Sequence, residues 1–356
     1  MYDGAGMQES SLIFISAFAS LFWARKVAVR IGLVDKPNVR KKHQGNIPLV
    51  GGVSIYLALC VLYTLQANLL PHFFLYMVCS TALLVVGMFD DRFDLPVLSR
   101  IGLQACVAIA MMSTGLFISS LGNIFFKDEI LLGAFGYIVT LFAVLGSINA
   151  FNMVDGMDGL LSGLSFVTLS ALVIAFYLGG NNELARWSLC FLVATLPYAL
   201  LNSGMLLGKK FKVFMGDAGS TLIGFSVIWL LLLATQGEGR VIQPVTALWL
   251  IAVPLMDMVA VMMRRFARGG NPFKADREHL HHVLLRSGFT QSQTLAVIVT
   301  IATLFATIGI ICERNNISES IMLSVFLLMF SGYIAAITSL IRVLAWFRRF
   351  LAVDKQ

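Results

Sequence analysis

Apolar stretches of about 15 to 25 residues follow one another along the sequence, and short polar segments separate them. Because a helix rises about 1.5 Å per residue, stretches of this length approach the roughly 30 Å hydrocarbon core of a bilayer. Transmembrane strands would instead need alternating segments of about ten residues, which the sequence lacks. The pattern predicts an all-α integral membrane protein, a polytopic helical bundle of about eleven transmembrane helices. Their predicted limits are 11–31, 48–66, 71–89, 100–120, 130–150, 159–179, 186–206, 219–236, 244–263, 294–312 and 321–345.

The composition agrees with this class. Hydrophobic residues make up 58% of the 356 residues and charged residues only 13%, whereas soluble domains average roughly 25% charged residues. Too few polar side chains remain to cover a water-exposed surface, so the excess apolar residues must face lipid. We therefore expect residues 1–356 to form a single multi-pass membrane domain whose main partner is the lipid bilayer.

Lysine and arginine fall mainly in alternate loops. Of the 26 basic residues, 22 lie in one set of loops and four in the other. Basic loops stay in the cytoplasm, so the amino terminus is predicted to be periplasmic and the carboxyl terminus cytoplasmic. The net charge of +7 is explained by this orientation, and no nucleic-acid partner is expected. The expected active-site loops all lie on the basic side, at about 32–47, 90–99, 151–158, 207–218 and 264–293.

Acidic residues with unusual spacing occur in these basic loops. Asp90 and Asp91 end the third stretch, where adjacent carboxylates cost free energy unless a cation or proton compensates. A metal-binding or general-base role and a solvated helix end are both open for this pair. In NMVDGMDG, Asp155 and Asp158 lie three residues apart and would share one face if the segment were helical, with Asn152 close by. Carboxylate and amide oxygens suit Mg²⁺.

The segment KKFKVFMGDAGS combines lysines with a glycine-rich turn that enters a helix. Basic residues and free amides there could bind phosphate, although a run of cytoplasmic lysines with a helix cap is the favoured explanation of the lysines. Asp217 is the predicted metal ligand of this segment, and Phe214 could stack on a base.

Histidine is concentrated in HLHH, which contains His279, His281 and His282. The string suggests zinc, but hydrogen bonds to phosphate or sugar hydroxyls are the favoured interpretation, because arginine and lysine surround it and no cysteine is near.

Two further features lie in the ninth stretch. Arg264 and Arg265 end it and could grip a diphosphate or simply extend to the membrane interface. Asp257 lies deeper in the same stretch, where a carboxylate is either functional or paired with an arginine.

The motifs DDRFDLP, NMVDGMDGL, VFMGDAGS and HLHH occur in this order, each at a helix end on the basic side. Together with HQGNIPLVGG in the first loop, they resemble the polyprenyl-phosphate N-acetylhexosamine-1-phosphate transferases over nearly the whole chain. The resemblance implies Mg²⁺ (or Mn²⁺) near Asp217 and the DGMDG carboxylates. It also implies that Asp90 and Asp91 serve the lipid phosphate, either as a base or by positioning it.

The resemblance extends to the nucleotide contacts. Phe214 matches the position at which a cell-wall member of the family stacks on uracil. That member has lysine where this chain has Gln44 before Gly45, so Lys41 and Lys42 are the expected substitutes for its nucleotide contact.

The implied reaction transfers GlcNAc-1-phosphate from UDP-GlcNAc to undecaprenyl phosphate, giving undecaprenyl-diphospho-GlcNAc and UMP. It would begin O-antigen or enterobacterial common antigen synthesis at a bacterial inner membrane. Leu280 interrupts a histidine string that is continuous in the cell-wall branch, which favours the GlcNAc branch. Another UDP-N-acetylhexosamine, UDP-MurNAc-pentapeptide and, in a different class, a membrane transporter stay alternatives. A homodimer is left open.

The charge of the loops predicts the result of a reporter experiment. Reporters fused in alternate loops should report opposite compartments, and a cytoplasmic signal from the loop at 236–243 would contradict the predicted orientation. Fusions after Lys127, Arg186 or Arg240 are expected to be periplasmic, and fusions after Arg100, Lys212 or Arg286 cytoplasmic.

Overall fold

The computed structural model describes residues 4–36, 45–125, 128–269 and 278–353, and it confirms the all-α class. The only strands in the described residues are β1 (Val34–Asp35) and β2 (Ile47–Pro48), which pair antiparallel. The helices are α1 (Gly4–Ile31), α2 (Gly51–Leu65), α3 (Phe73–Phe93), α4 (Val97–Met112), α5 (Phe135–Met153), α6 (Leu160–Leu178), α7 (Asn182–Asn202), α8 (Gly216–Thr235), α9 (Pro244–Leu250), α10 (Ala252–Ala267), α11 (Leu280–Arg286), α12 (Gln291–Arg314) and α13 (Glu319–Val353).

Each predicted apolar stretch overlaps one of these helices, except that the ninth overlaps two. Among the described residues, eight helices are long and apolar enough to cross a bilayer. The ninth stretch is broken into α9 and α10, which meet at 84° and could together form one more crossing. Helices α2 and α4 have only 15 and 16 residues, fewer than the about 20 that a spanning helix needs. The count of eleven crossings therefore stays a prediction.

The break between α9 and α10 has a local cause in Pro254. Proline lacks a backbone N–H, and its ring collides with the carbonyl four residues earlier, which here belongs to Leu250. Helix α9 ends at Leu250, and α10 begins at Ala252 with Pro254 in its first turn. The sequence prediction of one continuous span over 244–263 missed this bend.

Contacts between helix ends sort the loops onto two ends of the bundle. At what we call the distal end, Glu9 accepts hydrogen bonds from Gln66 and from Arg186 Nε, both at 2.8 Å, and so joins the start of α1, the end of α2 and the start of α7. Gln236, just after α8, accepts from the amides of Ser119 and Ser120 at 3.0 and 3.1 Å. The acidic motifs occupy the opposite end, which we call the cleft end because it holds the cleft described below.

Helix α8 is the central helix of the bundle, and its first turn is pressed between α2 and α3. A Cβ atom added to Gly52 would lie 2.4 Å from the Cα of Gly219, and one added to Gly87 would lie 2.4 Å from the Cα of Ala218. Only glycine permits such close approach of backbones. The contacts fix Asp217, at the start of α8, against the end of α3 that carries Asp90 and Asp91.

Candidate active site

A cleft of about 290 Å³ lies at the cleft end, where α3, α4, α5, α8, α10 and the HLHH segment meet. One part of its wall is apolar and comes from α3 and α4, including Leu83, Val86 and Ile101. The polar part brings together residues from all four motifs and from the end of α10. The predicted site residues that line the cleft are Asp90, Asn152, Asp217, Arg265, His279, His281 and His282.

Arg100 lies between two carboxylates of the cleft. Its Nη1 donates to Asp90 Oδ2 at 2.8 Å and lies 3.6 Å from Asp217 Oδ2. The other oxygen of Asp90 accepts from the amide of Leu95 at 2.8 Å. The guanidinium therefore reduces the repulsion that two carboxylates facing one cleft would otherwise exert on each other.

Asn152 fixes the other oxygen of Asp217. Its Nδ2 donates to Asp217 Oδ1 at 2.7 Å and to Ser220 Oγ at 2.9 Å. The end of α5 and the start of α8 are thus tied together by a carboxamide and a carboxylate. These are the oxygen-bearing groups that a hard divalent cation prefers.

Asp91 has a different environment from its neighbour Asp90. It accepts from the backbone amides of Asp217 and Ala218 at 2.8 and 3.3 Å, and it is not among the residues that line the cleft. The first amides of a helix have no partner within the helix, so Asp91 caps α8 from α3. Its contacts hold the backbone that carries Asp217.

Asp158 and Phe214 lie outside the lining of the cleft, as does Asp155. Asp158 Oδ2 is 2.5 Å from Lys212 Nζ, which in turn lies 5.1 Å from the centre of the Phe214 ring. The carbonyl of Phe214 accepts from the amides that begin α2, including Gly51 at 3.0 Å. The DGMDG and KKFKVF segments therefore meet through an ion pair. Their predicted roles, in binding a metal and a nucleotide base, stay predictions.

The HLHH segment contacts the DGMDG segment directly. His281 is buried, and a Cβ atom added to Gly156 would lie 2.4 Å from its Nε2. Burial, and next the neighbouring His282, lower the pKa of His281 to about 3, so its ring is neutral at physiological pH. Within the described ranges, no three His, Cys, Asp or Glu side chains form a ready-made metal site, and the zinc alternative gains no geometric support.

The two adjacent arginines of α10 diverge. Arg265 lines the cleft, whereas Arg264 turns to Glu278, donating from Nη2 to its carbonyl oxygen at 2.9 Å. Both side chains are buried rather than extended into the interface. A diphosphate in the cleft could therefore meet Arg265, while Arg264 anchors the residue just before HLHH.

Sequence reasoning missed a polar face between α4 and α5. Arg100, Gln104 and Asn149 line the cleft, and Asn149 Nδ2 donates to Gln104 Oε1 at 2.9 Å. The available signal was spacing, because Arg100 and Gln104 lie four residues apart and Asn149 and Asn152 three apart in otherwise apolar helices.

Lys41 and Lys42, the predicted nucleotide contacts of the first loop, lie outside the described residues, as does the part of the last loop at 270–277.

Comparison with known proteins gives consistent matches. The model of glycosyl transferase family 4 matches residues 73–235, which contain Asp90, Asn152 and Asp217. The chain is 53% identical over 344 residues to the undecaprenyl-phosphate alpha-N-acetylglucosaminyl 1-phosphate transferase of Yersinia pestis, covering 96% of this chain and 94% of the relative.

Two further relatives carry the same name. The protein from Escherichia coli strain K12 is 52% identical over 323 residues, 90% of this chain and 88% of its own. The protein from Haemophilus influenzae is 46% identical over 337 residues, which are 94% of this chain and 95% of the relative. On identity of this level over almost the full length, the chain belongs to glycosyl transferase family 4.

Proposed function

We propose that the chain transfers GlcNAc-1-phosphate from UDP-GlcNAc to undecaprenyl phosphate, giving undecaprenyl-diphospho-GlcNAc and UMP. The observation that carries this proposal is the cleft itself, which has an apolar wall from α3 and α4 and a polar wall containing Arg100, Arg265 and the histidines. One wall suits a lipid, and the other suits phosphates and a sugar. The names of the similar relatives, which specify undecaprenyl phosphate and N-acetylglucosaminyl 1-phosphate, support the same choice of substrates.

In the proposed reaction an oxygen of the lipid phosphate attacks the β-phosphorus of UDP-GlcNAc. The new bond joins that oxygen to the β-phosphorus, and the bond from the β-phosphorus to the bridging oxygen breaks, so UMP leaves with the bonding electrons. Arg100 and Arg265 oppose the negative charge that gathers on the phosphates. A direct attack uses no covalent intermediate on the protein, and transfer through a covalent phospho-aspartate is the alternative.

The contacts of Asp90 and Asp91 favour positioning over proton transfer. A phosphate monoester has a second pKa near 6 and is largely ionised at neutral pH, so a base would contribute little. A bare carboxylate would repel this phosphate, whereas Arg100, held by Asp90, attracts it. We assign Asp90 to the orientation of Arg100 and Asp91 to the orientation of Asp217, with proton transfer by Asp90 as the alternative.

We further propose that Mg²⁺ or Mn²⁺ binds at Asp217. The residues fit such an ion, because Mg²⁺ commonly takes only one or two protein carboxylates and completes its shell with water and substrate phosphates. Asp217 and Asn152 supply this kind of donor in the cleft. When bound, the ion would reduce repulsion between phosphates and stabilise the UMP leaving group. Asp158 would join it only after leaving Lys212.

The remaining parts of the proposal concern the setting. Phe214 stacks on the uracil, His279, His281 and His282 contact the phosphates or the sugar, and Lys41 and Lys42 meet the nucleotide. The protein lies in the bacterial inner membrane with the amino terminus periplasmic and the cleft and carboxyl terminus cytoplasmic. Its product starts O-antigen or enterobacterial common antigen synthesis. A transporter is disfavoured because the acidic motifs gather at one end of the bundle instead of along a path through it.

A transfer assay with doubly labelled substrate tests the reaction. Purified protein is mixed with undecaprenyl phosphate and with UDP-GlcNAc carrying ³²P in the β-phosphate and ¹⁴C in the sugar. Both labels should enter the lipid in equal amounts while UMP is released. UDP-GalNAc and UDP-MurNAc-pentapeptide serve as competing donors and are expected to be used far less. Entry of ¹⁴C without ³²P, or equal use of UDP-MurNAc-pentapeptide, would contradict the proposal.

Chelation tests the cation. Excess EDTA should abolish transfer, and added Mg²⁺ or Mn²⁺ should restore it. Asp217→Asn should lower kcat by about 100-fold or more, because a charge that acts at the reacting phosphates is lost, and should raise the Mg²⁺ concentration needed for half activity. Asp128→Asn is the matched control, since this exposed carboxylate lies away from the cleft. Asp158→Asn asks whether that residue also binds the ion. Unchanged turnover in EDTA, or wild-type metal dependence in Asp217→Asn, would contradict the assignment of the cation to Asp217.

A further inference from the structure

Asp257 is a buried carboxylate inside α10 with three hydrogen-bond partners from two other parts of the chain. Its Oδ2 lies 2.9 Å from His279 Nδ1, and its Oδ1 accepts from the amide of Leu280 and from the hydroxyl of Tyr333, each at 2.9 Å. Only 2% of Asp257 is exposed. A buried carboxylate is tolerated where such partners replace water, so these contacts account for its place in the apolar helix. Its partner is a histidine and not the arginine that the sequence suggested.

The contact with His279 fixes which ring nitrogen faces the cleft. A carboxylate that accepts from an amide and a hydroxyl acts as an acceptor, so Nδ1 of His279 is the nitrogen that carries the proton toward Asp257. This leaves Nε2 as the nitrogen that His279 presents to the cleft it lines. Such orientation of one imidazole nitrogen through a partner on the other is a common way of setting histidine chemistry.

The contact with Leu280 fixes the position of the whole segment. Leu280 begins α11, where backbone amides have no helical partner, and the carboxylate supplies one. A second link lies two residues earlier, at Glu278, whose carbonyl accepts from Arg264 of α10. Because Arg265 of the same helix lines the cleft, α10 sets the distance between the arginine and the histidines.

The contact with Tyr333 brings in α13, the last helix. None of the described residues of α13 lines the cleft, and the helix lies outside the residues 73–235 that match the family model. The hydroxyl of Tyr333 is nevertheless separated from the ring of His279 only by the carboxylate that both contact. A change in α13 can therefore reach the cleft through two hydrogen bonds.

We propose that Asp257 and Tyr333 are positioning residues for the transfer reaction, which hold His279 with Nε2 toward the substrates and make α13 part of the active-site assembly. This inference rests on the proposed function, in which His279 contacts the phosphates or the sugar. Neither Asp257 nor Tyr333 touches substrate, and both act through His279.

The first test is Asp257→Asn, which keeps the shape of the side chain and reverses one hydrogen bond. An Asn amide nitrogen would donate to His279 Nδ1, so the proton would move to Nε2. Nitrogen-15 spectra of histidine-labelled protein should show His279 with its proton on Nδ1 in the wild type and on Nε2 in the variant, with the signal assigned by its loss in His279→Ala. An unchanged tautomer would overturn the proposal. This readout does not depend on which reaction the protein catalyses, so it separates failure of the inference from failure of the proposed function.

The second test uses kinetics in a double-mutant cycle. Asp257→Asn should lower kcat/KM for UDP-GlcNAc by at least about tenfold, and Tyr333→Phe by about 2- to 10-fold. In a His279→Ala background neither change should lower activity further, because both act through that ring. Tyr177→Phe, which removes an exposed hydroxyl from α6, should leave activity unchanged.

A merely structural role gives a different result. The losses from Asp257→Asn and Tyr333→Phe would then persist undiminished in the His279→Ala background, together with a lower melting temperature. If Asp257→Asn does not fold, Tyr333→Phe alone decides the matter, since it removes one oxygen atom and leaves the ring in place. A wild-type rate for Tyr333→Phe would contradict the proposal that α13 is part of the active-site assembly.

Discussion

The cleft depends on one positively charged side chain, that of Arg100, placed between two carboxylates from different helices. Arg100 lies in the first turn of α4, Asp90 in the last turn of α3 and Asp217 in the first turn of α8. The guanidinium of Arg100 lies 2.8 Å from the carboxylate of Asp90 and 3.6 Å from that of Asp217. Without this charge, two acidic groups facing one small space would repel each other and would also repel phosphate. With it, the site offers both a positive group and carboxylates that a divalent ion can share with substrate. The Arg100 side chain is about one-third exposed, so a ligand in the cleft can reach it.

The backbone around this cation is held by packing that only small residues allow. Gly52 and Gly87 bring α2 and α3 against the first turn of α8, and Asp91 caps that turn. The adjacent acids of DDRFD thus do different things, since Asp90 orients a side chain and Asp91 orients a backbone. Both act on groups that the proposed substrates would meet, which explains why two carboxylates occur side by side at an apolar helix end.

Most of the fold could be predicted from sequence because hydropathy is a strong signal over twenty residues. The prediction failed where a single residue decides the backbone, as Pro254 does between α9 and α10, and it leaves open whether the short helices α2 and α4 cross the bilayer. The types of residue in the site were also predictable, since carboxylates, amides and histidines at helix ends indicate a polar site in an otherwise apolar chain. Their directions were not predictable.

Adjacent helical residues point about 100° apart, so uncertainty of one residue in a helix end is enough to exchange their roles. For this reason the sequence could not decide which residue of each adjacent pair faces the cleft. The structure places Arg265 rather than Arg264, and Asp90 rather than Asp91, in its lining. The partner of Asp257 lies 22 residues away in another element, a separation at which spacing carries no information. Spacing did carry a usable signal for Arg100, Gln104, Asn149 and Asn152, which repeat at three or four residues on α4 and α5.

The most direct measurement is an electron cryomicroscopy map of the purified protein in lipid nanodiscs with UDP-GlcNAc and Mg²⁺ but without undecaprenyl phosphate. Lacking an acceptor, the donor should remain intact. We expect density for its diphosphate in the cleft, within hydrogen-bond reach of Arg100 or Arg265 and beside Asp217, with the sugar toward His279 and His281. Nucleotide density at the distal end near Glu9 and Arg186, or an empty cleft at saturating UDP-GlcNAc, would contradict the assignment of this cleft as the site of transfer.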